Sequence, residues 1–323
     1  MRASIKELLD DYQVRRSFKQ KQTFIKWMRN HAQNHDYQLY EHEYKRRFGK
    51  GSNLVVGDIV SAELIITAHY DTPPNVLIPI VSIAGNMLMY LFGQLAMLIQ
   101  AFIVFWLIST VITNLVTEIG FLSRQVPFLW FEVSVLMLIF LILWVIQMTM
   151  GFANRKNAND NTSGVAVLIA LLEDLPSELR SKVCFVFFDE EEKGLEGSKA
   201  FKKTYFEKIK NKPLINFDCV AHGKHLLFVT SNCFTESTYH PLLQDAVAGE
   251  ALVKPTRGYL NLSSFLHPSD QFVFENTVAV AAFHRLPLIG YFLNRIHSIF
   301  DTKFDVKNIE KLNQIMIRLI KKI

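Results

Sequence analysis

Five short groups of imidazole and carboxylate residues are spread along this 323-residue chain. They are His69-Tyr70-Asp71, Asn159-Asp160-Asn161-Thr162-Ser163-Gly164, Asp189-Glu190-Glu191-Glu192-Lys193-Gly194-Leu195, Asn216-Phe217-Asp218 and His297-Ser298-Ile299-Phe300-Asp301-Thr302. Two histidines and three carboxylates can hold two divalent ions if one carboxylate bridges them, and a mixed nitrogen and oxygen donor set suits Zn²⁺. A metal-bound histidine usually gives its second N–H to a carboxylate, and Asp71 lies two residues from His69 to receive it. Each group also has a plain structural reading. Asp160 could cap a helix that begins at Thr162 and Ser163. Asp301 could be a turn residue, the Glu run a solvated loop, and His69-Tyr70-Asp71 an ordinary hydrogen-bonded pair.

The elements that must position these groups set their weight. Apolar runs at 64–68, 183–188, 214–217, 226–229 and 277–283 read as buried strands. Helical patterns cover 162–175, 197–208, 238–248 and 307–323, the last with Ile309, Leu312, Ile315, Met316 and Leu319 at helical spacing. Strands alternating with helices predict an α/β sandwich with a largely parallel central sheet. In such sheets ligands gather at the carboxyl ends of the strands. Four of the five groups stand at an apolar strand end or a helix start.

Composition adds a second theme. Half the residues are hydrophobic, Phe alone supplies 26, and mean hydropathy is positive. The net charge of +5 gives no reason to expect a nucleic-acid partner. Cys184, Cys219 and Cys233 have neither metal-ligand spacing nor a paired framework, which suits a reducing compartment. Residues 1–50 carry both signs of charge with basic residues in excess. Leu8, Leu9, Val14, Phe18, Phe24, Ile25 and Trp27 are scattered among them, which reads as amphipathic helix with no secretory-signal core.

Residues 72–117 contain no Asp, Glu, Lys, Arg or His, and 133–154 are also free of charge. A spanning helix needs roughly 20 apolar residues. One span is expected within 86–112 and another within 128–150. Gly85-Asn86 and Gly93-Gln94 are candidate breaks in the first run, with 76–85 lying at the interface or beside the span. The run 135–143 is apolar all round, unlike an amphipathic surface helix. His69 and Asp160 flank the apolar segment and must meet, so the number of spans must be even, and two is the simplest count. Arg155, Lys156 and the basic N-terminal region outweigh the single Arg124 between the spans. The positive-inside rule then places the catalytic part in the cytoplasm, on a chain held in the cell membrane.

The five groups, in this order, resemble the M28 family of dinuclear zinc aminopeptidases, over roughly 53–71 and 157–302. Glu191-Glu192-Lys193-Gly194-Leu195-Glu196-Gly197-Ser198 matches the family's Glu-Glu-x-Gly-Leu-x-Gly-Ser run. The resemblance implies a three-layer α/β/α sandwich with a mixed, largely parallel sheet of the zinc-exopeptidase kind. The peptidase domain would be discontinuous, 1–75 and 151–323, with 76–150 a transmembrane helical hairpin inserted into it. It also implies two Zn²⁺ ions, held by His69, Asp160, Glu192, Asp218 and His297, with Asp160 as the bridge. Glu191 would be the general base and Asp71 the partner that orients His69. The implied reaction is removal of N-terminal residues from peptides by an activated water. Alternatives are a zinc transferase of the glutaminyl-cyclase kind, using one zinc, or a non-catalytic membrane protein on a peptidase fold. The expected partners are a peptide substrate and the lipid bilayer; oligomeric state is not readable. His222, His225, His240 and His284 read as structural or exposed, and the Gly-Leu register sets Asp189 and Glu190 aside as ligands.

Three departures from the family stand out. The segment between Asp71 and Asp160 is a short loop in typical relatives and here holds the whole apolar insertion. Ser269-Asp270 resembles the start of the family's Ser-Asp-His segment, with Gln271 in place of His. Phe265 stands at the spacing of the Tyr that often stabilises the oxyanion, for which His267 or Tyr259 could substitute.

Overall fold

The computed structural model describes residues 1–46, 49–76, 81–118, 126–256 and 265–323. The N-terminal region begins with α1 (Ala3–Asp11) and α2 (Phe18–Asn34). A capping box starts α2: Ser17 Oγ accepts from Gln20 N, and the Gln20 side chain accepts from Ser17 N, satisfying two amides that the first turn leaves without partners. The helical reading of 1–50 fails after Asn34. Residues 39–56 form the antiparallel pair β1 (Leu39–Lys45) and β2 (Lys50–Val56). At the sheet margin β1 buries only Leu39 and His42 and keeps its charges outside. Such an edge strand carries little apolar signal.

β3 (Leu64–His69) and β4 (Val81–Ala84) follow, then the long helices α3 (Met87–Glu118) and α4 (Val126–Met150). Next come α5 (Thr162–Asp174), β5 (Val183–Phe188), α6 (Glu196–Ile209), β6 (Leu214–Phe217), β7 (His225–Thr230), α7 (Asn232–Glu236) and α8 (Tyr239–Val247). The chain closes with β8 (Leu252–Pro255), β9 (Thr277–Leu286), β10 (Gly290–Asn294) and α9 (Val306–Ile320).

The sheet has a parallel centre, β5-β3-β6-β9, with antiparallel margins. β3, β5 and β6 are buried along their whole length, as strands covered on both faces must be. β2 adds antiparallel to β5, and β1 to β2. On the other side β7 runs antiparallel to β9 and carries β8 parallel to itself. The far end of β9 pairs with β10, and β10 with β4.

Helices α1, α2, α5, α8 and α9 contribute to one core against Leu54, Ile66, Phe185, Phe187 and Phe217. On the opposite face, Phe201 and Ile209 of α6 pack with Val55, Ile65, Cys184, Val186 and Phe188. These are the expected three layers, with α5 buried through nearly all its length.

Two stretches are long and apolar enough to cross a membrane, Met87–Leu115 and Phe131–Met148. Only 17% and 11% of their most apolar windows are buried within the protein. Their contact seam is narrow, built on Ala101, Phe105 and Trp144 with Phe140 stacked 6.0 Å from Phe105. Of the two candidate breaks, Gly85-Asn86 precedes α3, and Asn86 Oδ1 accepts from Met89 N at its first turn. Gly93 continues the helix because it faces β4: a Cβ there would lie 3.0 Å from Ile83 Cβ. Within the stretch expected at the interface, 81–84 is instead strand β4 of the sheet, while 77–80 lie outside the described residues. The segment 119–125, with Arg124, also lies outside them.

Candidate metal centre

Three of the parallel strands end at chemistry. His69 is the last residue of β3, Asp218 follows β6, and the Glu191-Glu192 turn follows β5. Asp160 arrives on the loop that opens α5, and His297 on the loop after β10. The N-cap of α5 is Asn161, whose Oδ1 accepts from Gly164 N at 3.0 Å, so Asp160 is free to face the site. Gly164 is required by packing, since a Cβ would sit 2.3 Å from the Phe217 carbonyl oxygen.

The five expected ligands converge. Asp160 Oδ1 lies 3.5 Å from His69 Nε2, while Asp160 Oδ2 lies 3.0 Å from His297 Nε2. Asp218 Oδ1 is 3.7 Å from His69 Nε2, and Glu192 Oε2 is 3.6 Å from His297 Nε2. Two three-residue donor sets result, His69–Asp160–Asp218 and Asp160–Glu192–His297, each with its ligand atoms within 4.8 Å of one another. They share Asp160, one carboxylate oxygen toward each. Glu191 joins His69 and Glu192 in a further set.

The electrostatics of this cluster call for cations. Burial, then the carboxylate of Asp160, pushes Glu192 up to about 8 against the pull of His297, and burial raises Glu191 well above the usual carboxylate range. Burial would lower His297, but Glu192 and Asp160 push it up to about 9. Glu192 Oε1, Asp218 Oδ1 and His267 Nε2 are buried with no hydrogen-bond partner. A cavity lined by imidazoles and carboxylates in anionic excess, with unpartnered acceptors turned into it, fits divalent metal ions.

The supporting contacts explain how such a costly arrangement is held. Asp71 Oδ1 is 3.5 Å from His69 Nδ1, which also lies 3.2 Å from the Asp71 carbonyl oxygen. The same carboxylate accepts from Glu191 N at 3.0 Å and Glu192 N at 3.3 Å. Asp71 therefore touches both the imidazole and the glutamate turn, a second contact its sequence position did not announce. Asp301 accepts from Asn159 N and Asp160 N at 2.9 and 3.0 Å, so it fixes the loop that carries Asp160. Glu190, Cys219 and His297 take left-handed backbone, with φ of 58°, 58° and 56°. For non-glycine residues this costs about 1–2 kcal/mol each, strain that functional sites commonly hold.

Behind the glutamate turn lies a buried ion network missed in the sequence. Lys21 of α2 reaches Asp189 at 2.5 Å and also contacts Glu190, which pairs with Arg46 at 2.7 Å and Lys193 at 2.8 Å. Asp189 and Glu190 are thus engaged away from the donor sets. Arg15, fully buried, donates to the Tyr70 carbonyl and to Thr162 Oγ1. These partners are remote in sequence, so no local motif marks them.

His267 lines the same cavity, with Nε2 3.8 Å from Asp218 Oδ2. Phe265 does not line it; its ring packs against Phe283 and Tyr291. Tyr259 lies outside the described residues. Gln271 Oε1 accepts from Asn216 Nδ2 at 2.9 Å, and Asp270 is buried with both carboxylate oxygens unpartnered. His222 and His284 pair with each other at 3.1 Å, His225 packs on Tyr291, and His240 on Phe234.

An α/β sheet with two donor sets at its strand ends is the architecture of a zinc exopeptidase. Among solved structures, the LapA aminopeptidase of Legionella pneumophila superposes with a TM-score of 0.54 at 12% identity, over 99% of this chain and 68% of that one. The glutaminyl cyclase of Porphyromonas gingivalis gives 0.57 at 12% identity, over 98% and 95% of the two chains. A Zn-dependent exopeptidase of Parabacteroides distasonis gives 0.57 at 11% identity, over 98% and 95%. At these identities the likeness is one of fold. No curated protein matches the sequence. Residues 149–320 match the profile of peptidase family M28, more than half of the chain. The chain belongs to peptidase family M28, and it is a zinc metallopeptidase.

Proposed function

We propose that this protein is a membrane-anchored aminopeptidase that removes N-terminal residues from peptides with two zinc ions. The observation that carries the reading is the placement of Asp160, with one carboxylate oxygen toward His69 and the other toward His297. In this reading His69 and Asp218 hold one ion, Glu192 and His297 the other, and Asp160 both. Zinc, when bound, supplies a Lewis acid that polarises the peptide carbonyl and brings the pKa of a water toward neutrality. Glu191, half-buried beside the donor sets, takes the proton of the attacking water and returns it to the leaving amine. Asp71 orients His69 and holds the amides of Glu191 and Glu192, so base and ligand keep a fixed relation. His267 supplies the hydrogen bond to the developing oxyanion. The acidic floor favours a free, cationic α-amine, which selects peptide N-termini.

The membrane reading rests on exposure. Leu91, Phe92, Leu95, Leu98, Ile99, Leu107 and Val111 on α3, and Leu138, Ile142, Leu143 and Ile146 on α4, face outward. Soluble monomers rarely expose an apolar surface of that extent. On this view 76–150 is the inserted hairpin, 1–75 and 151–323 are the peptidase domain, and β4 is the part of the insertion taken into the sheet. Charge bias places the domain in the cytoplasm.

A glutaminyl-cyclase-like transferase is the second reading, favoured by the fold shared with the Porphyromonas gingivalis enzyme. Metal analysis with an aminoacyl-amide panel separates the two. The expected result is two zinc ions per chain, release of free amino acids, and poor turnover of N-acetylated substrates. One zinc per chain with cyclisation of N-terminal Gln would overturn the aminopeptidase assignment.

A further inference from the structure

The cavity over the donor sets, about 250 Å³, is not walled by the peptidase sheet alone. Tyr90, Gln94 and Met97 of α3 and Met148 of α4 line it together with the ligands. Spacing of four and three residues puts the α3 trio on one helix face. The next residue after each, Leu91, Leu95 and Leu98, points outward and is exposed. Gly93, on the inner face, allows α3 to press against Ile83 of β4. β4 in turn pairs with β10, the strand that leads to His297. The wall is therefore fixed to the same frame as the donor sets. Met97 and Met148 also pack on the Ala101–Phe105–Trp144 seam, so the cavity meets the interior of the hairpin directly. Leu293 and Ile296 complete the apolar side.

We propose that the two hairpin helices build the subsite for the substrate's N-terminal side chain. Its ligand is a long apolar side chain, such as Leu, Met or Phe, at the N-terminus of a peptide lying at the bilayer surface. The proposal rests on the membrane-anchored aminopeptidase reading. With amine and carbonyl held at the donor sets, the first side chain must occupy the rest of the cavity. On this side of the cavity Tyr90 and Gln94 offer neutral polar atoms but no counter-charge, and Met97, Met148, Leu293 and Ile296 offer neither, so a charged group would lose its water with little compensation. Methionine is flexible and polarisable and accommodates different apolar shapes. The outer face of the same turns is apolar and exposed, so a peptide adsorbed at the bilayer meets the cavity without leaving the interface.

The test measures kcat/KM for leucyl against alanyl peptides, with zinc content determined in parallel. Met97→Trp and Met148→Trp fill the wall and should lower the leucyl-to-alanyl ratio about tenfold, the scale at which hydrophobic pockets discriminate. Zinc per chain should stay at the wild-type value. Leu98→Trp, on the outer face of the same turn, should keep the wild-type ratio. An unchanged ratio in both methionine variants, or an equal fall in Leu98→Trp, overturns the subsite. For the approach along the bilayer, wild type reconstituted in phosphatidylcholine vesicles is given a leucyl peptide with and without a C-terminal palmitoyl chain. A lower KM for the lipidated peptide supports the proposal, and equal KM values overturn that part of it. If wild type loaded with zinc cleaves no aminoacyl peptide, the aminopeptidase reading itself falls. If it cleaves them and the variants keep the ratio, only the hairpin subsite falls.

Discussion

Lys21→Met tests whether the metal centre depends on the buried ion network beneath it. Lys21, Asp189 and Glu190 have side chains only 8%, 4% and 2% exposed. Glu190 keeps Arg46 and Lys193 when Lys21 is removed. Among the described residues Asp189 keeps only backbone donors, Ser52 N at 3.3 Å and Glu190 N at 2.9 Å. Burial already pushes Asp189 up to about 6 with Lys21 beside it. Removing one partner of a buried ion pair costs about 3–5 kcal/mol. At about 2–4 °C of melting temperature per kcal/mol for a domain of this size, the midpoint should fall by about 6–20 °C in mildly alkaline buffer. The sign with pH follows from the raised carboxyl. The folded variant takes up a proton at Asp189 that the unfolded chain does not, so the deficit shrinks as pH falls, by at most about 1.4 kcal/mol per unit. Because Asp189 and Glu190 lead directly into Glu191 and Glu192, zinc affinity should also fall, about 10–100-fold as for other supporting contacts. Thermal unfolding of the detergent-solubilised protein at two pH values, with zinc titration, measures both effects. A midpoint within a degree or two of wild type, with no pH dependence, would refute the view that Lys21 compensates these acids.

Glu191→Gln should keep two zinc ions and lose about 10²–10⁴-fold in kcat; equal metal content with full activity would remove Glu191 from the base role. Asp160→Ala should lose one or both ions, because Asp160 puts one oxygen 3.5 Å from His69 and the other 3.0 Å from His297, and tight retention of two zincs would contradict the bridge. Burial lowers His31, and burial with the neighbouring His284 pushes His222 down to about 4. The unfolded chain then binds more protons, so stability is complete above about pH 6.5 and is lost as pH falls toward the folded values. Urea midpoints should drop through that window, and less steeply in His222→Asn; a flat profile refutes it. For topology, Cys at the exposed Lys322 in a Cys-free background should react with an impermeant reagent only in opened cells, and Cys at Ser123, outside the described residues, should react in intact ones. Labelling of position 322 from outside with 123 protected would invert the orientation.

The parallel strands and the donor groups were legible because both signals are local. A strand buried on two faces is a continuous apolar run, as in Val183–Phe188, and a ligand at its end is the first polar residue after it. What was not legible depends on distant pairings. β1 hides its strand character under charges, β4 and β10 are short and define each other, and Lys21, Asp301 and Arg15 act on residues far along the chain. The insertion itself shows why long apolar material can sit between two ligands of one site. At its neck Asn75 N donates to the Phe152 carbonyl at 2.8 Å and Asn154 N to the Pro73 carbonyl at 3.1 Å, closing the two chain ends into a short antiparallel ladder. Gln147 Nε2 donates to the Asn75 carbonyl at 2.7 Å just beyond. The domain therefore meets the hairpin as it would meet a tight loop, with entry and exit adjacent. Loop-closure cost grows only with the logarithm of length, and α3 and α4 contribute their own packing, so His69 and Asp160 keep their places. The same neck brings the first turns of α3 and the last of α4 beside the donor sets, because Val76 N donates to the His297 carbonyl at 2.8 Å. On the proposed membrane reading, an anchor attached anywhere else on this sheet would only hold the enzyme at a bilayer, whereas one attached here also puts its helices in the proposed substrate cavity.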